Sequence, residues 1–407
     1  MPVKTTAGEA ALAAAARIVA DSEGCDAPIA EARVLPGAAY TDEAFFEFEK
    51  KAIFDSEWLC VAHEREVPDP GDQLNLMILG EPVVILRDTD GEIRSFSAVC
   101  QHRGHPLFGG VADTGFGLPC QNATKLVCPY HNWTYDLGGK LVSAPFMTET
   151  TPVPELRKKV ALPPIAVSVF HGLVFINLSG AEDTVAESLR AFGEELTNFK
   201  LTDLVALPTT VRKDLPWNWK LHHENAMEPY HTAFVHRGIH DEAPPRLAKF
   251  EDVDVDAGAV MHPTYLVNED VGLATGGDGL LSPRIEGLTK EQRARIMFAS
   301  VMPTMFIILQ PSFVALSFVL PQTAGTMTLR RVDLYPKAAV EQEGFAEAYA
   351  AQVNARQEAI DQDTATTSAL QEAFSSRWFG RGPLSYLEQP IVQLNTWLLQ
   401  RYRAGLA

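Results

Sequence analysis

The chain has 407 residues, 46% hydrophobic and 21% charged, an ordinary globular mixture long enough for two domains. Its formal net charge of −18 argues against a surface built for nucleic acid or an anionic membrane, and no apolar run approaches the ~20 residues that a membrane span needs. Five cysteines, at 25, 60, 100, 120 and 128, are too few and too scattered for a disulfide framework, so the chain reads as cytoplasmic.

In chain order, residues 5–20 read as an alanine-rich helix lacking the basic start, apolar core and cleavage site of a signal peptide, and 1–39 are taken as a helical arm. Thr41-Asp42-Glu43 opens a helix to about Ser56, with Phe45, Phe46, Phe48 and Phe54 as its apolar content. From Gln73 to Val99 the pattern turns to strands, with runs at 83–86 and 93–96 flanking an Asp90-Gly91 turn. Further short strands end at 172–178. Residues 181–199 return to helix and mark a domain change. Strands are expected at 305–310, 313–320 and 327–334, and helices at 340–374 and 386–403. The predicted class is α+β: a small antiparallel β domain over 40–180, then a domain over 181–407 with an antiparallel sheet followed by long C-terminal helices.

Two short blocks carry the chemistry. Cys100-Gln101-His102 and Cys128-Pro129-Tyr130-His131 supply two thiolates and two imidazoles. Such a set suits one iron–sulfur centre in which thiolates hold one iron and neutral imidazoles the other, raising the reduction potential. The competing reading is structural zinc, which also accepts two Cys and two His. Zinc gives no reason for Pro129, Tyr130 and Trp133 around the second pair. Cys120 is not part of the pattern, because Ala123 stands where a Cys-x-x-His block needs histidine.

The longer blocks His102-Arg103-Gly104-His105-Pro106-Leu107 and Cys128-Pro129-Tyr130-His131-Asn132-Trp133-Thr134-Tyr135-Asp136 resemble the two cluster loops of Rieske non-haem iron oxygenases, in their large (alpha) subunit. The resemblance runs from about Tyr40 to the end. It implies a Rieske [2Fe–2S] cluster on Cys100, His102, Cys128 and His131, and a helix-grip catalytic domain. One departure is the spacing: twenty-five residues separate His102 from Cys128, more than most family members use. The excess, 109–125, reads as an enlarged surface loop, tolerable because closure entropy grows slowly with length.

Asn218-Trp219-Lys220-Leu221, then Glu224 to His231, then His236, form the next constellation. A mononuclear Fe(II) that activates O₂ needs two His and one carboxylate, with positions left open. By spacing alone His231/His236 has no advantage over His236/His240 or His222-His223. The resemblance decides, because Glu228-Pro229-Tyr230-His231 matches the family's acidic-x-Tyr-His block. The five-residue separation then implies that the helix ends or distorts between them, and Arg237-Gly238 fits an ending. The remaining histidines are assigned to surface or packing. In the family the ligand Asp precedes a Gln by eight positions; Asp363 and Gln371 satisfy this, Asp361 does not. The resemblance also implies that Glu228 bridges His131 of a neighbouring subunit to His231 of its own chain, and that Asn225 is a polar group near the iron.

The reading is the terminal oxygenase of a multicomponent system. Electrons come from NAD(P)H through a separate reductase, ferredoxin or both, because the chain has no Gly-rich dinucleotide fingerprint of its own. O₂ is co-substrate, and the assembly is a homotrimer, with or without a small beta subunit. Substrate stays open between mono- or dioxygenation of an aromatic or related ring, favoured as the family's commonest use, and oxidation or demethylation of a small polar compound such as a quaternary amine or sulfonate. The apolar run Val301, Met302, Met305, Phe306, Ile308, Leu309, Phe313 and Leu316 is poor substrate evidence, since core packing accounts for most of it. The non-enzyme alternative is a Rieske electron carrier, which needs no second iron.

Overall fold

The computed structural model describes residues 6–108, 117–120, 123–181, 183–236, 241–251, 258–267 and 283–407, without the side chains of 119–120. Most of the enlarged loop, and with it Arg237, Gly238 and His240, lie outside the described residues.

Among the described residues the cluster-bearing part has a seven-stranded antiparallel sheet. Its order is Leu59–His63, Leu173–Asn177, Pro164–Phe170, Ile93–Ser97, Glu81–Arg87, Gln73–Ile78, Pro119–Cys120. A three-stranded sheet of Leu126–Val127, Thr134–Tyr135 and Leu141–Ser143 stands beside it. The expected hairpin is present, but its register pairs Arg87 with Ile93, so the loop is longer than an Asp-Gly turn. Asp88 organises it, its Oδ1 accepting from the backbone N–H groups of Asp90 (2.9 Å) and Glu92 (3.0 Å).

The second sheet runs Val205–Ala206, Thr326–Tyr335, Val314–Thr323, Met305–Leu309, Arg295–Val301, Ala259–Tyr265, and Thr210–Leu215 also pairs with Thr326–Tyr335. All its pairings are antiparallel. The helix Phe345–Ala373 packs on Trp219–Met227, and Gln389–Leu406 on Trp219–Met227 and Ala259–Tyr265. The class is α+β, as expected.

One expectation fails. Residues 181–199 are not a single helix; only Arg190–Leu196 is helical. The Asn177 carboxamide oxygen captures the N–H groups of Ser179 (3.0 Å) and Ala181 (3.1 Å), and Val185 and Leu189 are buried as anchors of an irregular segment. Local side-chain bonds of this kind compete with helix nucleation.

The helix after Tyr40 begins where Asp42 caps it, Oδ1 accepting from Ala44 and Phe45 N–H, and runs Glu43–Glu49 before a π turn over Lys50–Phe54. The first helix, Ala7–Asp21, has a Thr6/Glu9 capping box and buries Ala14, Ala15 and Ile18 in the same core as Phe45, Trp219 and Trp397. The arm is therefore part of the main core.

That core encloses a buried ion pair. Lys220 Nζ lies 2.7 Å from Glu49 Oε1, the side chains 1% and 0% exposed. Trp219 Nε1 and the Tyr402 hydroxyl also donate to Glu49. Breaking such a pair strands a charge in a low-dielectric interior, whereas replacing both partners removes the penalty. Glu49→Ala is expected to lower stability by about 3–5 kcal/mol, read as a fall in thermal midpoint. Glu49→Leu combined with Lys220→Met should recover most of the loss; a double variant no more stable than the single one would contradict this account.

The two sheets are joined through Arg330, fully buried, which donates to the carbonyls of Gly117 and Val61 (both 2.8 Å) and to Glu66 Oε1.

Candidate metal centres and the adjoining cavity

The two cysteine loops close in the same way. The Cys100 carbonyl accepts from Gly104 N–H at 2.9 Å, and the Cys128 carbonyl from Asn132 N–H at 3.0 Å. Cys100 N–H donates to His105 O and Cys128 N–H to Trp133 O, at 2.9 and 2.8 Å. The fifth residue of each loop turns left-handed, with φ 76° at Gly104 and 55° at Asn132. These are the residue types that tolerate that region best.

Within this cradle Cys100 and Cys128 are buried, and the His102 and His131 rings stand 4.7 Å apart. Trp133 stacks on His102 at 4.6 Å, its plane tilted only 5°. The Tyr135 hydroxyl lies 3.5 Å from Cys100 Sγ. Burial, then the His131 and Arg103 charges, lower the His102 pKa from its ordinary value. Nδ1 of both His102 and His131 is buried without a hydrogen-bond partner. Two inward-facing imidazole nitrogens left unbonded are what a metal group requires, since an orphaned buried polar atom is otherwise costly.

The spread of the donors separates iron–sulfur from zinc. Tetrahedral zinc, with bonds of about 2.0–2.3 Å, would draw its donors to within roughly 4 Å of one another. Among the described residues, three or more His, Cys, Asp or Glu donors gather within 4.8 Å at His231, His236 and Asp363, and not at the Cys/His set. The latter is too open for one ion and suits two irons.

The second site lies where the helix Trp219–Met227 ends. Glu228 follows in extended conformation, and a one-turn helix, Thr232–Val235, separates His231 from His236. This break lets residues five apart face one point. The rings are 5.1 Å apart. His231 Nδ1 is 2.6 Å from Glu228 Oε1, and His236 Nδ1 is 2.8 Å from Gln362 Oε1. With both Nδ1 atoms engaged, both Nε2 atoms turn to Asp363, whose Oδ1 lies 2.9 Å from His236 Nε2 and 3.6 Å from His231 Nε2.

Asp363 Oδ1 is buried. Burial works to raise its pKa, but the His236 bond and charge, the His231 charge and the Asn225 side chain outweigh that and hold it below the usual aspartate value. Two imidazole nitrogens and one carboxylate converging in this way can hold a mononuclear Fe(II) with open positions. Asp361 instead accepts from Gln357 on the exposed side of the helix.

The donors open on a cavity of about 350 Å³. Trp217, Phe298, Phe306 and Ile308 supply apolar wall, and Asn225 and Glu228 border the metal end. Of the strand residues named from sequence, Phe306 and Ile308 reach the cavity, while Val301, Met305 and Leu316 are core.

Of the histidines assigned to surface or packing, His223 is packing: Nδ1 meets Ser300 Oγ at 2.9 Å and Nε2 meets Pro303 O at 3.0 Å. His222 instead lines the cavity with Nε2 unbonded, and burial pushes its pKa down to about 4. Sequence reasoning also missed Gln362, although it adjoins Asp363.

Both parts of the chain match family models. The family model "Ring hydroxylating alpha subunit (catalytic domain)" matches residues 201–404, and "Rieske [2Fe-2S] domain" matches 57–160. The carnitine monooxygenase oxygenase subunit of Acinetobacter baumannii is 34% identical over 209 residues, 51% of this chain and 53% of that protein. The biphenyl 2,3-dioxygenase subunit alpha of Rhodococcus jostii is 34% identical over 229 residues, 55% of this chain and 46% of that protein. The chain thus spans about half the length of the curated relatives it matches. A solved quaternary ammonium Rieske monooxygenase, CntA, superposes with TM-score 0.76 over 94% of this chain and 98% of that one, at 23% identity, a likeness of fold.

Proposed function

The chain belongs to the ring-hydroxylating alpha-subunit family of Rieske oxygenases, and from that premise we propose that it is the terminal oxygenase of a multicomponent system that hydroxylates a small organic substrate. The observation that carries this is the convergence of His231 Nε2, His236 Nε2 and Asp363 Oδ1 on the wall of a substrate-sized cavity. A plain electron carrier would have no use for that cavity.

Cys100, His102, Cys128 and His131 would hold the [2Fe–2S] cluster, and His231, His236 and Asp363 the Fe(II); when bound, they supply single electrons and a place for O₂. Glu228 and Gln362 fix the ring orientation and tautomer of the two iron-site histidines. Asn225 steadies Asp363. Trp217, Phe298 and Phe306 keep water from the reacting end.

Electrons arrive from NAD(P)H through a reductase or ferredoxin, and the working assembly is a homotrimer. In it Glu228 meets His131 of the next subunit. Both loops reach the surface with exposed aromatics, Tyr130 beside His131 and Tyr230 and Phe234 beyond Glu228. We assign the helical arm to 1–39, electron entry to 40–180 and oxygenation to 181–407. Among the described residues no helix is long and apolar enough to cross a membrane. None of Cys25, Cys60, Cys100 and Cys128 is in a disulfide, in keeping with a reducing, cytoplasmic setting. For the substrate, both an aromatic ring and a small polar compound such as a quaternary amine stay within the reading.

The test is metal content and spectrum together with O₂-dependent product formation. The purified protein should be brown and, once reduced, give the low-average-g signal of mixed Cys/His ligation. A colourless protein with stoichiometric zinc would defeat the proposal. Cys120→Ser should keep colour and signal, because Cys120 sits in a short strand paired to Gln73 and outside both cluster loops. Loss of the cluster in that variant would mean that the second loop is misassigned.

A further inference from the structure

The cavity wall also carries cations, toward the end marked by Arg356. Arg212, Arg331 and Arg356 line it, each brought by a different element, and Arg212 reaches back to Thr364, next to Asp363. Arg331 shares a face of the strand Thr326–Tyr335 with Leu329 and Asp333, as a two-residue period requires. Arg212 comes from the neighbouring strand, where it pairs with Leu329 while Thr210 pairs with Arg331. Arg356 comes from the helix Phe345–Ala373, two turns before Asp363, a rise of roughly 10 Å.

The charges at this end do not balance. Asp333 takes the Arg331 Nε–H at 3.1 Å, the Arg356 Nη2–H at 2.8 Å and the Tyr349 hydroxyl at 3.0 Å. One carboxylate thus faces two guanidiniums. Among the described residues the hydrogen bond of Arg212 goes to a neutral partner, Thr364 Oγ1 at 2.9 Å. The Asp361 and Asp363 charges also act on it, without a hydrogen bond, and Asp363 belongs to the metal donors.

Donors are also left over. A guanidinium has five N–H groups, yet Arg331 uses one side-chain hydrogen bond, through Nε, and Arg356 Nη1 is buried with no partner. All three arginines are half-buried, and a guanidinium drawn partly out of water gains from meeting an anion. Guanidinium matches carboxylate and sulfonate oxygens in pairs of hydrogen bonds.

We infer that the cavity takes an organic anion: a carboxylate or sulfonate on the substrate docks on Arg331, Arg356 and Arg212, and the less polar remainder lies along Phe298 and Phe306 toward His231, His236 and Asp363. The spacing along the helix sets a second requirement. A ligand touching both ends must span much of the roughly 10 Å between Arg356 and Asp363, which suits an aryl or medium-chain acid and not acetate. This inference rests on the cavity being the substrate site of the proposed oxygenase. It separates anionic substrates from neutral hydrocarbons of equal shape.

The test is calorimetric binding to the purified, metal-replete protein with matched pairs: 4-ethylbenzoate and 4-ethylbenzamide, hexanoate and hexanamide, L-carnitine and carnitinamide. In at least one pair the acid should bind tenfold or more tightly than its amide. Arg331→Gln should collapse that ratio to within about threefold by weakening the acid alone, and Arg331→Lys should restore part of it. Arg212→Gln repeats the test should the first variant not fold. No acid preferred in any pair, no binding of any acid at 10 mM, or an Arg331→Gln variant that weakens acid and amide alike would each overturn the inference. The oxygenase reading fails separately: a protein that binds acids in this way but lacks iron at His231, His236 and Asp363 keeps the anion site and loses the proposed chemistry.

Discussion

Alanine at His231, His236 or Asp363 is expected to abolish product formation and empty the mononuclear site while the protein stays brown. The three atoms involved leave no spare donor. His231 and His236 have each committed Nδ1, to Glu228 and Gln362, so only Nε2 is available, and Asp363 Oδ1 is the oxygen they share. Removing any one leaves two ligands. The loss should exceed the roughly 10–100-fold effect typical of removing a group that merely orients a ligand. Gln362→Ala belongs in that milder class, because His236 keeps its Nε2 but loses the bond that sets its ring. Asp361→Ala should retain activity, its Oδ1 being occupied by Gln357 at 2.6 Å. Iron per chain, sulfide per chain and product per turnover, measured on the same preparations, separate these outcomes. An inactive Asp361→Ala beside an active Asp363→Ala would reverse the ligand assignment.

Why the sequence could single out Asp363 becomes physical in the fold. Its companion Gln371 accepts from the Asn218 N–H at 2.9 Å and donates to the Tyr40 carbonyl at 2.9 Å. Asn218 is the N-cap of Trp219–Met227, the helix that leads into Glu228 and His231. The glutamine therefore pins the long helix to the element that presents the histidines, which fixes how far down that helix the carboxylate must sit. The cluster loops were legible for a related reason. Their geometry closes within six residues, so the residue types that allow it, Gly104 and Asn132 among them, lie side by side in the chain.

What stayed illegible is what depends on distant partners. Thr210–Leu215, Ala259–Tyr265 and Arg295–Val301 carry Arg212, His262 and Arg295, residues that look unlike strand interiors until their cavity or partner is known. The Arg331–Asp333–Arg356 group joins a strand to a helix, and no local pattern marks it. His222 escaped for the opposite reason: beside His223, which is fully bonded, it resembled packing, and only the cavity wall distinguishes the two. The helix expected over 181–199 fails for a local reason, capture of the Ser179 and Ala181 N–H groups by the Asn177 side chain overriding propensity.

Glu228→Gln is expected to keep both metals and the assembly yet turn over very slowly. In this chain the Glu228 carboxylate holds His231 twice, Oε1 at 2.6 Å from Nδ1 and Oε2 accepting the backbone N–H at 3.1 Å. Gln keeps the shape and removes the charge, and charge-assisted hydrogen bonds are roughly twice as strong as neutral ones. A loss of about 10–100-fold follows if Glu228 only orients His231; a larger loss with iron retained is expected if it also meets His131 of a neighbour. The two roles are separated by mixing. His131→Ala disables electron entry and His231→Ala disables the iron site, so neither parent ring turns over. In the proposed homotrimer, mixed rings would include interfaces that set an intact cluster loop against an intact iron site on the adjacent chain. Activity above both parents, in preparations shown by mass to be mixed and by metal content to be folded, is the expected result. Fully assembled mixed rings with no such gain, or full activity in a demonstrated monomer, would rule out a route between subunits and leave Glu228 as a partner of His231 alone.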